Sequence, residues 1–388
     1  MKKKIAILGS TGSIGKNLIN IIYKNKNLFD VILLTAHKNH KDLLNQAKLL
    51  NVKNLIITDY TSYKNLKKKS LNHEIKIFND FTELKKIFKK KIDYTMSSIS
   101  GLDGLDPTYK IIEHTKVLAI ANKEAIICGW DILNKRLTRY KTRFIPVDSE
   151  HFSIWYALKN KKFSKINKIF LTASGGPFLN LPKNKFSKIK PFNAINHPNW
   201  KMGNKISVDS STMMNKVFEI IEAKNIFNIE YKKLSILTHP DSYVHAILMF
   251  DSGITKVVLH DTNMSIPIHN TLFHNENIKI LTKNLDLNKL NNLRLKNVDI
   301  KKFPLVKILK LLPAKSSLYE TVIVATNNKL VDLFLNGKIN YLDIQKILFR
   351  LIKLNEFRRY KNITPKSLSE IYNLNDYVYS KIEKLIYK

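Results

Sequence analysis

Apolar residues in the N-terminal third of the chain form short runs separated by segments with helical spacing. The first run spans residues 5–8, and Leu18, Ile19 and Ile22 then recur at the spacing of a helix face. Further runs lie at 31–34, 54–58, 74–78, 92–96 and 117–120. Short apolar runs are typical of strands buried on both faces, and their alternation with helices indicates a parallel sheet. The pattern predicts a doubly wound, Rossmann-like α/β domain over residues 1–148.

The pattern changes after about residue 148. Strand-like runs recur in 168–178 and 234–260, whereas 179–206 is rich in Pro, Asn and Lys and has little periodicity. Long irregular segments of this kind often act as flaps over a site. The predicted organisation is therefore a Rossmann-like domain at 1–148, a central α/β domain with a flap at 149–274, a linker at 275–303 and a small helical domain at 304–388.

The composition is that of an ordinary globular protein except for its charge. The 388 residues are 44% apolar and 25% charged, which excludes a disordered, collagen-like or disulfide-stapled chain. The net charge of +35 comes from 59 Lys and only 7 Arg. A nucleic-acid-binding surface would favour Arg, so we interpret the excess as Lys on solvated faces and expect no nucleic-acid partner. The charge would still attract anionic substrates and phosphorylated cofactors.

Cysteine usage and hydropathy bear on location. Cys128 is the single cysteine, so no internal disulfide can form, which is typical of a reducing compartment. The apolar run after the first lysines is too short for a signal peptide, and no run approaches the roughly 20 residues that span a bilayer. We therefore expect a cytoplasmic protein without a membrane partner.

The segment GSTGSIG at 9–15 follows the first predicted strand and precedes a helix. Glycines there allow a pyrophosphate to approach the backbone, and the helix N-terminus offers N–H groups, so the turn predicts a dinucleotide site. A plain tight turn is the alternative. NAD enzymes usually carry an acid after the second strand, but the segment TAHKN at 35–39 has none and contains Lys38 instead. This favours NADPH, although a solvated lysine would leave the same pattern.

Two segments carry candidate metal ligands. Asp148 and Glu150 are two residues apart, so an extended backbone would point both carboxylates to one face, as Mg²⁺ or Mn²⁺ requires. A polar turn explains this segment equally well. In the segment 206–219, Asp209 or Ser210 could cap a helix that aligns further polar residues on one stripe: Thr212, Asn215, Lys216 and Glu219. Taken alone, that helix favours a surface ion pair over an anion and metal site.

Three further segments have unusual compositions. Ser174 follows a predicted strand in a glycine turn, His197 and Trp200 lie in the irregular segment, and Lys123 follows the apolar run 117–120. The C-terminal ends of strands face the ligand crevice in this fold class, which favours a role for Lys123 at the ligand site. The alternatives are a plain turn, a hydrophobic anchor and an ordinary helix start.

Seven strings taken together resemble the 1-deoxy-D-xylulose 5-phosphate reductoisomerase family. They run in order from residue 9 to about 240: GSTGSIG, ANKE, PVDSEH, LT-x-SGGPF, HPNW-x-MG, KISVDS-x-TMMNK and His239-Pro240. The resemblance implies an NADPH-dependent, cytoplasmic homodimer that converts 1-deoxy-D-xylulose 5-phosphate into 2-C-methyl-D-erythritol 4-phosphate for isoprenoid synthesis. It also implies a bound Mn²⁺ or Mg²⁺, with Co²⁺ as an alternative.

The resemblance also implies roles for individual residues. The metal ligands would be Asp148, Glu150 and Glu219, and the phosphate ligands Ser174, Ser210, Asn215 and Lys216. Ser149, Lys123 and His197 would contact the substrate body, with Lys123 catalytic and Trp200 on the closing flap. The NADPH contacts would be Thr11, Gly12, Ser13, Ile14, Lys38, Asn39, Asn122, Glu124 and Gly203.

Two positions depart from the family pattern near the cofactor. His37 stands where a glycine is usual, and Asn204 stands where an arginine is usual. A semialdehyde-type dehydrogenase, which also opens on a glycine turn, is the alternative enzyme class. It needs a nucleophilic cysteine, and Cys128 lies in an apolar run typical of a buried thiol.

Overall fold

The computed structural model describes residues 1–69, 74–159, 166–200, 202–276, 278–284 and 286–386. The chain divides into two compact units, the first made of 1–125, 133–152 and 264–281 and the second of 126–132, 153–263 and 282–388. The domain boundaries predicted from the residue pattern stay a prediction.

The elements up to residue 158 alternate strands and helices. They are β1 (Lys3–Leu8), α1 (Ser13–Lys24), β2 (Phe29–Ala36), α2 (His40–Leu50), β3 (Asn54–Ile57), α3 (Tyr60–Lys69), β4 (Lys76–Phe78), α4 (Leu84–Ile87), β5 (Ile92–Ser97), α5 (Leu105–Ile111), β6 (Thr115–Ile120), α6 (Lys123–Arg139), β7 (Arg143–Pro146) and α7 (Ser149–Leu158). Short 3₁₀ turns occupy Leu102–Gly104 and Ile112–His114.

The strands of the first unit form one parallel sheet, as the apolar runs predict. Its order is β4-β3-β2-β1-β5-β6-β7, and every neighbouring pair is parallel. The strand order reverses between β1 and β5, and crevices at such a reversal are where open α/β sheets bind ligands. The predicted runs correspond to strands β1 to β6, whereas β7 was not predicted as a separate strand.

The buried face of α1 explains why this sheet forms. Leu18 and Ile22 of α1 are fully buried in one cluster with Ile5 and Ile7 of β1. Each such side chain contributes about 1.5–3 kcal/mol when it is removed from water. The apolar residues of α1 and the apolar run of β1 therefore pack against each other in one core.

A helix from late in the chain completes the first unit. α11 (Ser265–Leu272) buries Ile268 and Leu272 in the core of that unit. The hydroxyl of Ser265 donates to Asn17 Oδ1 at 2.7 Å, and the Tyr94 hydroxyl lies 2.9 Å from Thr271 Oγ1. The chain thus returns to its first unit after more than a hundred residues.

The second unit combines a mixed sheet with helices. Its elements are β8 (Ile166–Ala173), α8 (Pro191–Ile195), α9 (Asn204–Ser211), α10 (Met214–Phe227), β9 (Leu234–Thr238), β10 (Val244–Phe250), β11 (Thr255–Leu259), α12 (Leu287–Asn291), β12 (Lys296–Asn297), α13 (Leu318–Leu335), α14 (Tyr341–Ile352), α15 (Asn355–Arg358) and α16 (Leu368–Ile386). The sheet order is β11-β10-β8-β9-β12. Helix α10 packs on the sheet through Ile220, Ala223 and Phe227. The helical C-terminal region is confirmed.

The segment expected to be irregular contains more structure than its periodicity predicts. Besides α8 and the start of α9, it holds 3₁₀ turns at Lys183–Lys188. Helix α8 forms because Pro191 occupies its first turn and Lys190 N donates to Asn193 Oδ1 at 2.9 Å. Further 3₁₀ turns lie at Tyr231–Lys233, Pro304–Leu311 and Arg359–Asn362.

Hydropathy gives one more result. Within the described ranges, no helix is both long enough and apolar enough to cross a membrane.

Candidate active site

The glycine turn of the first unit lies at the reversal in strand order. Gly9 has a φ of +81°, and a Cβ there would lie 2.9 Å from Ser98 O at the end of β5. A Cβ on Gly15 would lie 2.4 Å from Gly9 O, which is a severe clash. The turn therefore has room for backbone only at Gly9 and Gly15, which lets the start of α1 approach the end of β1 closely.

Neighbouring polar side chains hold the turn in place. Thr35 Oγ1 accepts from Gly9 N at 2.9 Å, and Gln46 Nε2 donates to Ser10 O at 3.0 Å. Residues 11–14 at the start of α1 are half-buried or exposed, and the first turn of α1 has no acidic residue. Its N–H groups can therefore receive an anion. Sequence reasoning missed Thr35 and Gln46, because neither belongs to the glycine motif.

The residues after β2 divide into structural and accessible ones. Asn39 Oδ1 accepts from Asp42 N at 3.1 Å and so caps α2. Lys38 is exposed, and hydrogen bonds from Ser62 lower the pKa of nearby Asp59, with Lys38 adding to the effect. His37, where the family pattern has glycine, holds its Nδ1 2.9 Å from Thr58 Oγ1. Lys38 is thus available to a ligand, whereas the Asn39 side chain already has a capping role.

The start of α6 carries three candidate residues. Asn122 Oδ1 accepts from Ala125 N at 2.6 Å as the helix cap, and Asn122 Nδ2 donates to Gly101 O at 2.6 Å. Lys123 is buried, and its Nζ forms an ion pair with Asp148 Oδ2 at 3.0 Å. Glu124 is also buried.

Asp148 and Glu150 stand at the start of a helix, so the expectation of an extended segment is wrong. Helix α7 begins at Ser149, and Phe152 N bonds to Asp148 O at 2.7 Å, which makes Asp148 the residue before the helix. The two carboxylates still converge, because an oxygen of each lies within 4.8 Å of the other. Ser149 Oγ donates to Glu150 Oε2 at 2.6 Å. Convergent carboxylate oxygens are the donors that Mg²⁺ and Mn²⁺ prefer.

The helix start predicted at Asp209 or Ser210 is also wrong. Both residues belong to α9, which ends at Ser211, and α10 begins only at Met214. Between the helices Met213 takes a left-handed conformation with φ 65°. The backbone break separates Ser210 and Thr212 from the helix that carries Asn215, Lys216 and Glu219, so the predicted stripe is wrong at Thr212.

The polar residues of α10 are buried rather than solvated. Glu219 accepts from Asn215 Nδ2 through Oε1 at 2.5 Å and pairs with Lys216 Nζ through Oε2 at 2.5 Å. The side chains of Lys216 and Glu219 are only 5% and 1% exposed, so the surface ion pair interpretation is wrong. Burying both charges carries a desolvation cost that an exposed pair would avoid, which favours the functional interpretation of these residues.

The loop after β8 meets the end of α9. Gly175 and Gly176 both have positive φ, and a Cβ on Gly176 would lie 2.9 Å from Ser210 O. Gly176 N donates to Ser174 Oγ at 3.1 Å. The Ser174 loop and Ser210, which are distant in sequence, therefore lie side by side.

His197 is held in a defined protonation state. Its Nδ1 accepts from the N–H groups of Asn199 and Trp200 at 3.2 and 3.0 Å, so the proton resides on Nε2 and is donated to Ser174 Oγ at 2.9 Å. Burial, with a further contribution from the nearby charge of Lys216, lowers the pKa of His197 to about 4. The neutral imidazole is thus a donor at physiological pH.

The flap residues are anchored at one end. Asn199 Nδ2 donates to Pro240 O at 2.5 Å and to Ser242 Oγ at 2.8 Å. The Trp200 ring meets His245 edge-on at 6.2 Å. Lys201 lies outside the described residues, and a Cβ on Gly203 would contact nothing within 4 Å. Asn199 was not singled out from the sequence, although it lies inside the HPNW string.

The thiol required by the alternative enzyme class is not accessible. Cys128 lies within α6 and is only 2% exposed. A buried thiol in apolar surroundings is a weak nucleophile, which argues against a semialdehyde-type dehydrogenase.

Models of a single protein family match three parts of the chain. Residues 5–129 match the 1-deoxy-D-xylulose 5-phosphate reductoisomerase model, 144–227 match its C-terminal domain model, and 259–380 match the DXP reductoisomerase C-terminal domain model.

Relatives of the same description match nearly the whole length. The 1-deoxy-D-xylulose 5-phosphate reductoisomerase of Pelagibacter ubique (strain HTCC1062) is 54% identical over 385 residues, which cover 99% of both chains. That of Wolbachia pipientis wMel is 41% identical and covers 96% of this chain and 95% of its own.

Solved structures agree with this chain in fold. The 1-deoxy-D-xylulose 5-phosphate reductoisomerase of Zymomonas mobilis in complex with NADPH superposes with a TM-score of 0.88 at 31% identity, covering 100% of this chain and 99% of its own. A DOX-P reductoisomerase in complex with NADPH, fosmidomycin and magnesium gives 0.91 at 28% identity, covering 99% and 98%.

Proposed function

Since the chain belongs to the 1-deoxy-D-xylulose 5-phosphate reductoisomerase family, we propose that it converts 1-deoxy-D-xylulose 5-phosphate into 2-C-methyl-D-erythritol 4-phosphate. The reaction is an NADPH- and metal-dependent rearrangement followed by reduction, in the non-mevalonate route to isoprenoid precursors. The observation that carries this proposal is the 54% identity with a reductoisomerase over 385 residues.

The proposed metal ligands are Asp148, Glu150 and Glu219. Three carboxylates suit a hard divalent cation, and a related structure holds magnesium. When bound, the cation acts as a Lewis acid on substrate oxygens. Lys123, whose ammonium pairs with Asp148 at 3.0 Å, is proposed as a catalytic residue that orients this carboxylate and contacts the substrate.

The proposed phosphate site consists of Ser174, Ser210, Asn215 and Lys216. The contact of Gly176 with the Ser210 backbone, together with the buried ammonium of Lys216, supports it. Lys216 contributes to the lowered pKa of His197, which bonds to Ser174, so the ammonium lies near the Ser174 loop. A phosphate there would satisfy several donors and position the reacting carbons from a distance.

The substrate body is proposed to contact Ser149 and His197, with Trp200 closing over it. Glu150 and Glu219 would also face the substrate through the metal. Nε2 of His197 carries the proton and donates it to Ser174 Oγ at 2.9 Å, so a substrate oxygen would take the place of Ser174 Oγ as the acceptor of that hydrogen bond. Closure of the flap would exclude water from the reacting carbons.

NADPH is proposed to bind along the glycine turn and the following strand ends. The turn supplies backbone N–H groups, and the exposed Lys38 supplies a charge for the 2′-phosphate. The full proposed set is Thr11, Gly12, Ser13, Ile14, Lys38, Asn39, Asn122, Glu124 and Gly203.

Three finer points belong to the same proposal. We propose Mn²⁺ as an alternative to Mg²⁺, with Co²⁺ as a further one, a homodimer as the assembly, and the cytoplasm as the location. Metal titration of the apo-protein, light scattering behind a sizing column and localisation of a tagged chain test them in turn.

The decisive experiment is NADPH oxidation with 1-deoxy-D-xylulose 5-phosphate. We expect turnover with Mg²⁺ or Mn²⁺ that chelation abolishes and metal restores. Cys128→Ala should keep that turnover, because the thiol is buried away from the proposed chemistry. Absence of oxidation with every divalent ion would refute the proposed function, and loss of turnover in Cys128→Ala would favour the dehydrogenase alternative.

A further inference from the structure

Tyr341 begins α14 in the C-terminal helical region, far along the chain from the proposed phosphate ligands. It is only 5% exposed, and burial raises the pKa of its hydroxyl, so the hydroxyl keeps its proton. It donates to the backbone oxygen of Ser211 at 2.8 Å. Ser211 is the residue after Ser210, so this bond fixes the backbone on one side of a proposed phosphate ligand.

The aromatic ring of Tyr341 holds a second segment. It meets the Phe178 ring edge-on, with centroids 5.4 Å apart and an interplanar angle of 82°. Phe178 ends the SGGPF string that begins with Ser174, and it is buried. An edge-to-face aromatic pair fixes relative orientation as well as burying area. The loop that carries Ser174 is thereby attached to the same side chain as the Ser210 backbone.

Both segments need such a support. The Ser174 loop contains two successive glycines with positive φ, and glycine allows many backbone conformations. The end of α9 is followed by the left-handed residue Met213, so no continuous helix holds Ser210 from that side. The residue before Ser210 is fixed from the same helical region, because Asn327 Nδ2 of α13 donates to Asp209 Oδ1 at 2.7 Å.

We infer that Tyr341 is a positioning residue for substrate phosphate, because one side chain fixes the spacing between the Ser174 loop and the Ser210 backbone. Tyr341 does not touch the substrate; it acts through Ser211 and Phe178. The inference rests on the proposed function, in which Ser174 and Ser210 hold the phosphate. A phosphate bound between two loops is sensitive to their separation, since hydrogen bonds weaken steeply with distance and angle.

The chain provides a matched control for this inference. Tyr319 is the second residue of the neighbouring helix α13, is 1% exposed, and donates from its hydroxyl to Ile352 O at 2.8 Å. Tyr341→Phe and Tyr319→Phe therefore each remove one buried hydroxyl that donates to a backbone oxygen at 2.8 Å; the Tyr341 hydroxyl also lies 3.2 Å from Ser211 Oγ, within the same segment. Only the first hydrogen bond reaches a proposed phosphate segment.

The experiment compares steady-state kinetics of wild type and both variants with saturating NADPH and metal. We expect Tyr341→Phe to raise the KM for 1-deoxy-D-xylulose 5-phosphate about tenfold while kcat and the KM for NADPH change less than about twofold. Tyr319→Phe should leave all three constants within about twofold. Equal KM values for the two variants, or a loss confined to kcat, would overturn the inference.

A second variant keeps the test informative should Tyr341→Phe fold poorly. Phe178→Leu retains apolar volume but removes the ring that meets Tyr341, so we expect the substrate KM to rise about threefold with kcat retained. An unchanged substrate KM in that variant would count against the inference. Wild-type turnover, measured first, tests the proposed function separately, because it does not depend on Tyr341 being replaced.

Discussion

The glycine turn and the polar cluster of α10 show two ways of building a site for anionic groups. In the turn, the functional atoms are backbone N–H groups, and binding depends on the space left by the absence of a Cβ at the glycines. In the cluster, the functional atoms belong to buried side chains that satisfy one another, such as Lys216 and Glu219. The first region therefore depends on shape and the second on chemical identity, so substitutions should affect them in opposite ways.

The largest effect is expected from changing chemistry without changing shape. Glu219→Gln keeps the side-chain volume but removes a charge from the proposed metal site, so kcat should fall roughly 10³-fold or more. NADPH affinity, measured by fluorescence titration, should stay within about twofold. Glu230→Gln, an exposed carboxylate paired with Lys232, is the control and should keep normal turnover. Retention of full rate in Glu219→Gln would refute the three-carboxylate site.

The next effect is expected from changing shape without removing a functional side chain. Gly15→Ala would place a Cβ 2.4 Å from Gly9 O, so NADPH affinity should fall roughly 100-fold or more through distortion of the turn. Gly12→Ala places its Cβ 3.4 Å from the same oxygen and should cost clearly less. Equal losses in the two variants, by calorimetry with NADPH, would contradict a role for shape.

A pH experiment tests the protonation state of His197, whose imidazole lies near Lys216 of the second region. The pKa of His197 is lowered to about 4. In the unfolded chain the imidazole is protonated below about pH 6.5, whereas in the native protein it is protonated only below about pH 4. The free energy of unfolding is therefore unaffected by His197 above about pH 6.5 and decreases as the pH falls from about 6.5 to about 4. After solvent screening is allowed for, the loss at pH 5 is about 1 kcal/mol.

His197→Gln should therefore lose less stability than wild type between pH 7 and pH 5 in urea unfolding. The slope should shrink rather than vanish, because burial also lowers the pKa values of His239 and His245. An identical slope in wild type and variant would show that His197 titrates normally in the native state.

The smallest effect is expected at the anchor of the flap. Asn199→Ala removes the hydrogen bonds to Pro240 O and Ser242 Oγ, so the substrate KM should rise roughly threefold to tenfold through a less ordered flap. Asn196→Ala, which loses only an exposed bond to Phe192 O, is the neighbouring control. If both variants have the same KM, the anchor does not order the flap.

The two regions also differ in how much of their structure can be predicted from the sequence. The apolar runs and GSTGSIG predict the parallel sheet and its turn, because both depend on residues close together in the chain. The polar residues of the second region were identified by type, but their surroundings were not. Nothing in the sequence of 204–219 predicts that the helix is interrupted at Met213, because a methionine in the left-handed conformation has no sequence signature.

The other functional residues that the sequence did not predict make hydrogen bonds to residues far away in the chain. Thr35 supports a turn 26 residues away, and Tyr341 reaches a backbone oxygen 130 residues away. Neither contact leaves a periodic pattern or a local motif, so only the folded chain shows them. The burial of Lys216, whose side chain is 5% exposed, likewise has no signal in the neighbouring residues of the sequence.

The late return of the chain to its first unit has a consequence for biosynthesis. A ribosome that has released residues 1–152 has not yet made α11, whose Ile268 and Leu272 complete the core of that unit. Until about residue 281 emerges, the nascent sheet exposes apolar surface of the kind that chaperones recognise. Messenger truncations ending before α11 should therefore yield aggregates rather than a free-standing dinucleotide domain.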